Sequence, residues 1–428
     1  MAHANTRGWI VAFAGLGINL ALGVLYSWSV IAKVLSKSVA EGGWGWSAGQ
    51  ASLPYAICVG VFAVSMVFAG RAQDRFGPRL VASSGGALCG VGMIVASFGT
   101  AANVLPITIG FGVLTGVGIG LGYAAATPAA VKWFPAQSKG LVTGIVVAGF
   151  ALASVYIAPL TKLLLQSYGV PGAFRFLGVV FLFVTVGLAQ LLVNPPAGYV
   201  PLGSRPAVVT SAQNSASCVA SDYDWRQMLR TPQFALLWLM FACSAFAGLM
   251  IIGHMAKIAA LQMSGLDLGF LLVAVLAVGN ALGRVVAGIV SDRIGGIRTL
   301  LIVFVAQAVM MGALAFSHTV ATLIPVAAAV GFCYGANLSL FPSTTAGFFG
   351  TKNLGVNYGL VFTAWGVGGV FGSMTAGSIV DSAGSYGLAY AIAAGLCVLA
   401  AGLTFATKPP APLVASGGAG AEDVRIAA

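Results

Sequence analysis

The chain has 428 residues, of which 59% are hydrophobic and only 7% charged, with a net charge of +11 and a mean hydropathy of +0.98. A globular domain carries roughly a quarter charged residues, so the composition excludes a soluble fold and leaves a polytopic membrane protein. The basic balance does not call for nucleic acid, because loops held on one side of a bilayer produce the same excess.

In chain order, apolar runs long enough to cross ~30 Å of hydrocarbon predict twelve helices. They lie at 9–33, 48–70, 80–100, 104–132, 140–163, 174–193, 233–256, 267–290, 299–317, 320–347, 355–380 and 386–407. No small-residue cleavage pattern follows the first span, so no cleaved signal peptide is expected. That span carries Tyr26 within "GVLYSWSV", and the fourth carries Tyr123 within "GVGIGLGYAAATP". Residues 194–232, rich in Pro, Ser and Ala, form the one long polar connection, expected to be a central cytoplasmic loop. It separates an N-terminal six-helix bundle (1–193) from a C-terminal one (233–407), and 408–428 reads as a disordered cytoplasmic tail. His254 falls near the outer end of the seventh span, where an imidazole is either solvated or able to carry a coupling proton. The eighth holds Asn280 and Arg284 in "GNALGRVVAGIVSDRIGG", and the tenth holds Tyr334. The eleventh places Phe362 and Trp365 three residues apart, hence on one face.

The halves repeat one another. Gly70, Asp74, Arg75 and Gly77 after the second span match Gly288, Asp292, Arg293 and Gly295 after the eighth, each as G-x-x-x-D-R-x-G, at an offset of 218. Phe134, Gly140 and Gly144 similarly match Phe349, Gly355 and Gly359. Asp74 and Asp292 can pair with arginines or cap a helix N-terminus, which makes these loops candidate gates. With both termini cytoplasmic, fourteen Lys and Arg fall inside and five outside, the bias expected of a cytoplasmic membrane.

All nine acidic residues fall in loops or at helix ends, and of the twenty basic ones only Arg284 lies well inside a span. Burying it costs between ~3 and ~10 kcal/mol, so it needs a partner. Snorkelling to the surface or pairing with Asp292 would supply one, but neither explains the amide of Asn280 one turn earlier, nor why the repeat places Met66 at the equivalent position. The economical partner is a small carboxylate from solution, whose two oxygens suit the guanidinium fork. Tyr26, Tyr123, Tyr334, Phe362 and Trp365 are candidates to line the same cavity. The cysteines Cys58, Cys89, Cys218, Cys243, Cys333 and Cys397 lack metal-ligand spacing and read as packing residues. No cofactor, metal or catalytic grouping is expected.

The G-x-x-x-D-R-x-G loops in a 6+6 chain resemble the major facilitator superfamily over the whole length. "NPPAGYVP", "DYDWRQMLRTPQFALLW" and "NYGLVFTAWGVGG" resemble its oxalate/formate antiporter family, bacterial relatives of the monocarboxylate transporters. The resemblance implies an alternating-access carrier, usually monomeric, in the bacterial inner membrane. Its eighth-helix arginine would bind the carboxylate, and "FTAWG" would form a hydrophobic wall. Many animal members have an acidic residue one turn before that arginine where this chain has Asn280, which puts carboxylate-relayed proton coupling in doubt. A dianion would favour a second buried cation, and the eleventh span has none. The expected substrate is therefore a monoanion such as lactate, pyruvate or formate, moved with a proton or in exchange. Oxalate/formate exchange is the alternative within the class, and an anion sensor the alternative outside it.

Overall fold

A computed structural model of the chain describes residues 2–196, 198–201, 222–263 and 269–410. It is an all-helical bundle. Helices α1 (Thr6–Ser36), α2 (Ala48–Phe76), α3 (Pro78–Ala96) and α4 (Leu105–Val131) open the chain. The next helical stretch, Lys139–Ala189, has 51 residues, about 77 Å at 1.5 Å per residue and more than twice the hydrocarbon thickness. It breaks at Gly169, whose φ of +66° and ψ of −175° are open only to glycine, giving α5 (139–168) and α6 (170–189). Then come α7 (Pro232–Gln262), α8 (Gly269–Ile294), α9 (Gly296–Ala315), α10 (Val320–Phe349), α11 (Leu354–Ala383) and α12 (Gly387–Ala406).

All twelve expected spans are present, with different ends. α2 and α8 run on to Phe76 and Ile294, so Asp74, Arg75, Asp292 and Arg293 stand in last helical turns rather than in loops. The chain reverses at a single residue each time. Gly77 (φ +86°) and Gly295 (φ +90°) take the left-handed backbone that the motif's last glycine is needed for, and the next helix begins at the following residue. In the same way α5 continues past 163 because one glycine, Gly169, makes the whole connection. α1 tightens into a 3-10 turn over Gly23–Ser27, which presents Tyr26, and α4 widens into π-type turns over Thr108–Thr115.

Of the central segment 194–232, residue 197 and residues 202–221 lie outside the described residues, as do 411–428 of the tail and Cys218. The described residues resume at Asp222, and Trp225–Leu229 form a short helix under an Asp224/Gln227 capping box. This stretch therefore belongs to the folded C-terminal half rather than to the linker. The five described cysteines are all free and buried.

Within the first half α1 packs on α4 and the α5–α6 pair, and α3 on α4 and α6. In the second, α8 packs on α10, α7 on α11, and α9 on α10 and α12. The two six-helix bundles meet along two seams, α5 with α8 and α2 with α11. Large apolar side chains such as Phe68, Phe183 and Phe405 point outward, as a lipid-facing surface requires.

Candidate functional site

The seams are built from the repeated motif. Gly140 lies against Gly288, and Gly70 against Gly355, so closely that a Cβ on any of them would strike the other's backbone. This approach brings each aspartate to the N-terminus of the opposite bundle's helix. Asp292 Oδ1 and Oδ2 accept from the Gly140 and Leu141 N–H groups, both at 2.8 Å, and Asp74 Oδ2 accepts from Val356 N–H at 3.0 Å. An anion there meets unsatisfied N–H groups and the positive end of the helix dipole. Arg75 and Arg293, singled out with the aspartates, are exposed, and the Arg75 guanidinium lies over Phe76.

The segment before α7 closes the same end. Asp222 Oδ1 accepts from the Thr351 and Lys352 N–H groups at 3.1 Å. The Tyr223 carbonyl accepts from the Asn353 and Asn357 side-chain amides, also at 3.1 Å. Across the seam, Asp222 acts electrostatically on Lys132 and Lys139 of the first half. Burial pulls the Lys132 ammonium below the ordinary lysine range, while Asp74 and Asp222 pull it back up.

One turn further into the bundle the repeat stops being symmetric. Gly144 rests on the carbonyl of Arg284, and Gly359 on that of Met66, so the equivalent positions hold a guanidinium on one seam and a thioether on the other. Arg284 is ten residues from the end of α8 at Ile294, about 15 Å at 1.5 Å per residue, and only 1% exposed. Its side chain turns into the α5–α8 seam, away from lipid. Nε donates to Asn280 Oδ1 at 3.0 Å, Nη1 donates to the Val147 carbonyl of α5, and the Tyr26 hydroxyl of α1 is within hydrogen-bonding reach. Each of these partners is neutral. Asp292, the carboxylate nearest in sequence, is committed to the α5 N-terminus.

From Tyr26, beside the guanidinium, an aromatic cluster runs across to the second bundle. Tyr26 packs edge-on to Phe150 at 5.6 Å, which meets Tyr123 at 5.6 Å. Phe62 of α2 touches Tyr123, Phe362 and Trp365 at 5.7, 5.4 and 5.6 Å, joining the two bundles. Phe362 stacks on Trp365 at 4.9 Å, and Trp365 Nε1 donates to the Tyr334 hydroxyl at 2.8 Å. Tyr123, Tyr334, Phe362, Trp365 and Asn280 are all buried, and Tyr26 is half-buried. The structure thus gathers these six candidates and Arg284 in one place. It adds Phe62, Phe150, the Val147 carbonyl and Tyr358, which sequence reading passed over. Tyr358 precedes Phe362 by one helical turn in "NYGLVFTAWG", the signal that could have found it. The site is chemically suited to a small anion, because a dry aromatic border strengthens every contact that Arg284 makes.

His254 is not part of this cluster. Its Nδ1 lies 2.9 Å from the Tyr386 hydroxyl at the start of α12, with Gly377 of α11 beside it. Among the described residues no group of three or more His, Cys, Asp or Glu could hold a metal ion.

Comparison with known proteins bears on the whole chain. A family model described as Major Facilitator Superfamily matches residues 8–274 and 254–427. The chain is 30% identical to an uncharacterized MFS-type transporter, YhjX, of Escherichia coli (strain K12), covering 86% of this chain and 87% of that one. It is 29% identical to the oxalate:formate antiporter of Oxalobacter formigenes, covering 89% and 86%. In fold it is similar to the proton:xylose symporter XylE bound to 6-bromo-6-deoxy-D-glucose, with a TM-score of 0.70 at 14% identity over 94% of this chain and 96% of that one.

Proposed function

This chain belongs to the major facilitator superfamily, and from that premise we propose that it is a secondary carrier of small monocarboxylates of the lactate, pyruvate or formate type. The family and the relatives make it a multi-pass membrane transporter and not an enzyme. The carboxylate assignment rests on one observation: Arg284, buried at the seam between the bundles, has only uncharged partners. A guanidinium has five N–H donors, and Asn280, Val147 and Tyr26 engage three of them. A carboxylate entering the seam would take up free donors in a bidentate contact and supply the missing charge.

Alternating access would follow from the two aspartate caps. With both engaged, as here, the end carrying Asp74 and Asp292 is closed, and releasing them would open it. We assign that end, with both chain termini, to the cytoplasm of a bacterial inner membrane, and take the monomer as the working unit. The likeness to an oxalate:formate antiporter favours oxalate/formate exchange as a second reading. Against it stands the lack of any Lys or Arg in α11, where a dianion would need a second cation.

Uptake of labelled lactate, pyruvate, formate and oxalate into proteoliposomes, with and without an imposed pH gradient, tests both readings. Saturable monocarboxylate transport is expected. Arg284→Lys, which keeps the charge but loses the fork, should weaken apparent affinity roughly ten- to hundredfold, since a hydrogen bond to a charged group contributes ~1.5–3 kcal/mol. Wild-type transport rates in Arg284→Lys would remove the reading.

A further inference from the structure

Four phenols from four helices feel the Arg284 charge: Tyr26 of α1, Tyr123 of α4, Tyr334 of α10 and Tyr358 of α11. Three of their hydroxyls have evident work. Tyr26 faces the guanidinium, Tyr334 accepts from Trp365, and Tyr123 stands at the Phe62–Phe150–Phe362 junction with its hydroxyl toward Tyr358. Tyr358 differs. It is 3% exposed, packs on Phe362 at 5.7 Å, and its buried hydroxyl has no hydrogen bond of ordinary geometry, the Tyr123 hydroxyl being its polar neighbour.

A buried polar group left unsatisfied costs about 1–3 kcal/mol, and a phenylalanine would fill an aromatic wall without that cost. The hydroxyl is also well placed. Tyr358 lies two residues beyond the Asp74-capped N–H of Val356, at the closed end of the cluster, whereas Arg284 faces it from the other seam.

Building on the carboxylate reading above, we propose that Tyr358 is a specificity-determining donor for the oxygen on the carbon next to the substrate's carboxylate. The carrier would then select 2-oxo and 2-hydroxy monocarboxylates over acids that have no such oxygen. In this arrangement Arg284 takes the carboxylate, the aromatic rings take the short carbon skeleton, and the Tyr358 hydroxyl, with Tyr123 beside it, takes the 2-oxygen. A site built to hydrogen-bond a substrate oxygen discriminates strongly against the analogue without it, because its own polar group would stay unpaired.

The test compares pyruvate and lactate with acetate in proteoliposomes containing the wild-type protein or Tyr358→Phe. Wild type should prefer the 2-oxygenated acids, and Tyr358→Phe should lose roughly tenfold or more of that preference through a higher KM for pyruvate and lactate, with acetate unchanged or improved. A parallel measurement on purified protein keeps the result independent of transport: pyruvate should raise Tm less in Tyr358→Phe than in wild type, and acetate should raise both equally. If wild type carries pyruvate but the variant keeps the same pyruvate-to-acetate ratio, or loses all three substrates alike, the Tyr358 role is overturned and the carboxylate reading survives. If wild type carries none of the three acids and no formate either, both fall.

Discussion

Arg284 owes its behaviour to the residue one turn before it. Asn280 presents a neutral oxygen to Nε at 3.0 Å, which orients the guanidinium without cancelling its charge. Asn280→Asp would put a carboxylate in that place. Such an ion pair competes with substrate, and protonation of the aspartate removes the competition. The variant should therefore bind monocarboxylates more weakly at neutral pH and regain transport as pH falls, whereas wild type should change little over the same range apart from the driving gradient. A pH profile of exchange, measured with no pH gradient, decides this, and identical profiles for the two proteins would refute it. Arg284 and Asn280 were legible in the sequence because a lone charge in an apolar run must find a partner or reach the surface, and the amide one turn away fits neither snorkelling nor pairing with Asp292. The Val147 acceptor was not, because a backbone carbonyl has no residue signature. Tyr358 was passed over because one more aromatic in an aromatic-rich helix stands out only when its hydroxyl is seen to be buried without a hydrogen bond of ordinary geometry.

The helices themselves were largely legible from hydropathy, as was the repeat, since glycines at fixed offsets mark where backbones must touch. What hydropathy could not give was the position of the charged motif. Asp74 and Asp292 were expected in loops because charge usually marks a loop, yet the reversal needs only Gly77 or Gly295 and the helices run on to it. Being helical fixes each aspartate in direction, so that it reaches the N-terminus of α11 or α5. The Asp222–Tyr223 segment was likewise taken for linker, as nothing in its composition announces that Asn353 and Asn357 will hold its backbone. Replacing a capping side chain by alanine typically costs about 0.5–2 kcal/mol, and an asparagine here loses one of the two contacts because its amide NH2 would point a donor at the Gly140 or Leu141 N–H. Asp292→Asn should thus shift the balance several-fold toward the state open at this end. Labelling of a single cysteine introduced at Ser291, buried at the α5–α8 seam, should rise in proportion. Unchanged labelling would mean that Gly140 and Gly288 close the seam without the cap. A bulkier probe of the equivalent contact on the α2–α11 seam is Gly355→Val. Its side chain must displace the Gly70 backbone or the ends of Gln73 and Asp74, so it should favour the open state more than Asp292→Asn does.

At the scale of the whole molecule, the placement of Arg284 couples occupancy to movement. Opening the end that carries Asp74 and Asp292 requires α5 to part from α8, and this takes the Val147 carbonyl away from Arg284. In the empty carrier that acceptor is lost, and Asn280, which travels with Arg284 on α8, is the one partner that stays. On the proposed carboxylate reading, the carboxylate of the loaded carrier would stay on Arg284 and replace what α5 withdraws, so the charge would never be left with the amide alone. The loaded protein should therefore reorient faster than the empty one, which makes exchange faster than net flux. Among the described residues no acidic side chain is hydrogen-bonded to the guanidinium, so none there would let a proton substitute for the anion on the return step. Proteoliposomes loaded with labelled lactate should release it at least about tenfold faster into buffer containing unlabelled lactate than into buffer without it, the ratio that ~1.4 kcal/mol of extra barrier produces. Val147 offers its backbone, so no side-chain substitution removes that contact, but Tyr26→Phe removes the other acceptor contributed by the first bundle. If Tyr26 holds the empty carrier closed, the variant should narrow the gap between exchange and net release. Equal rates in the wild-type protein, with or without lactate outside, would show that the empty carrier turns over freely and that the seam arginine does not govern the cycle.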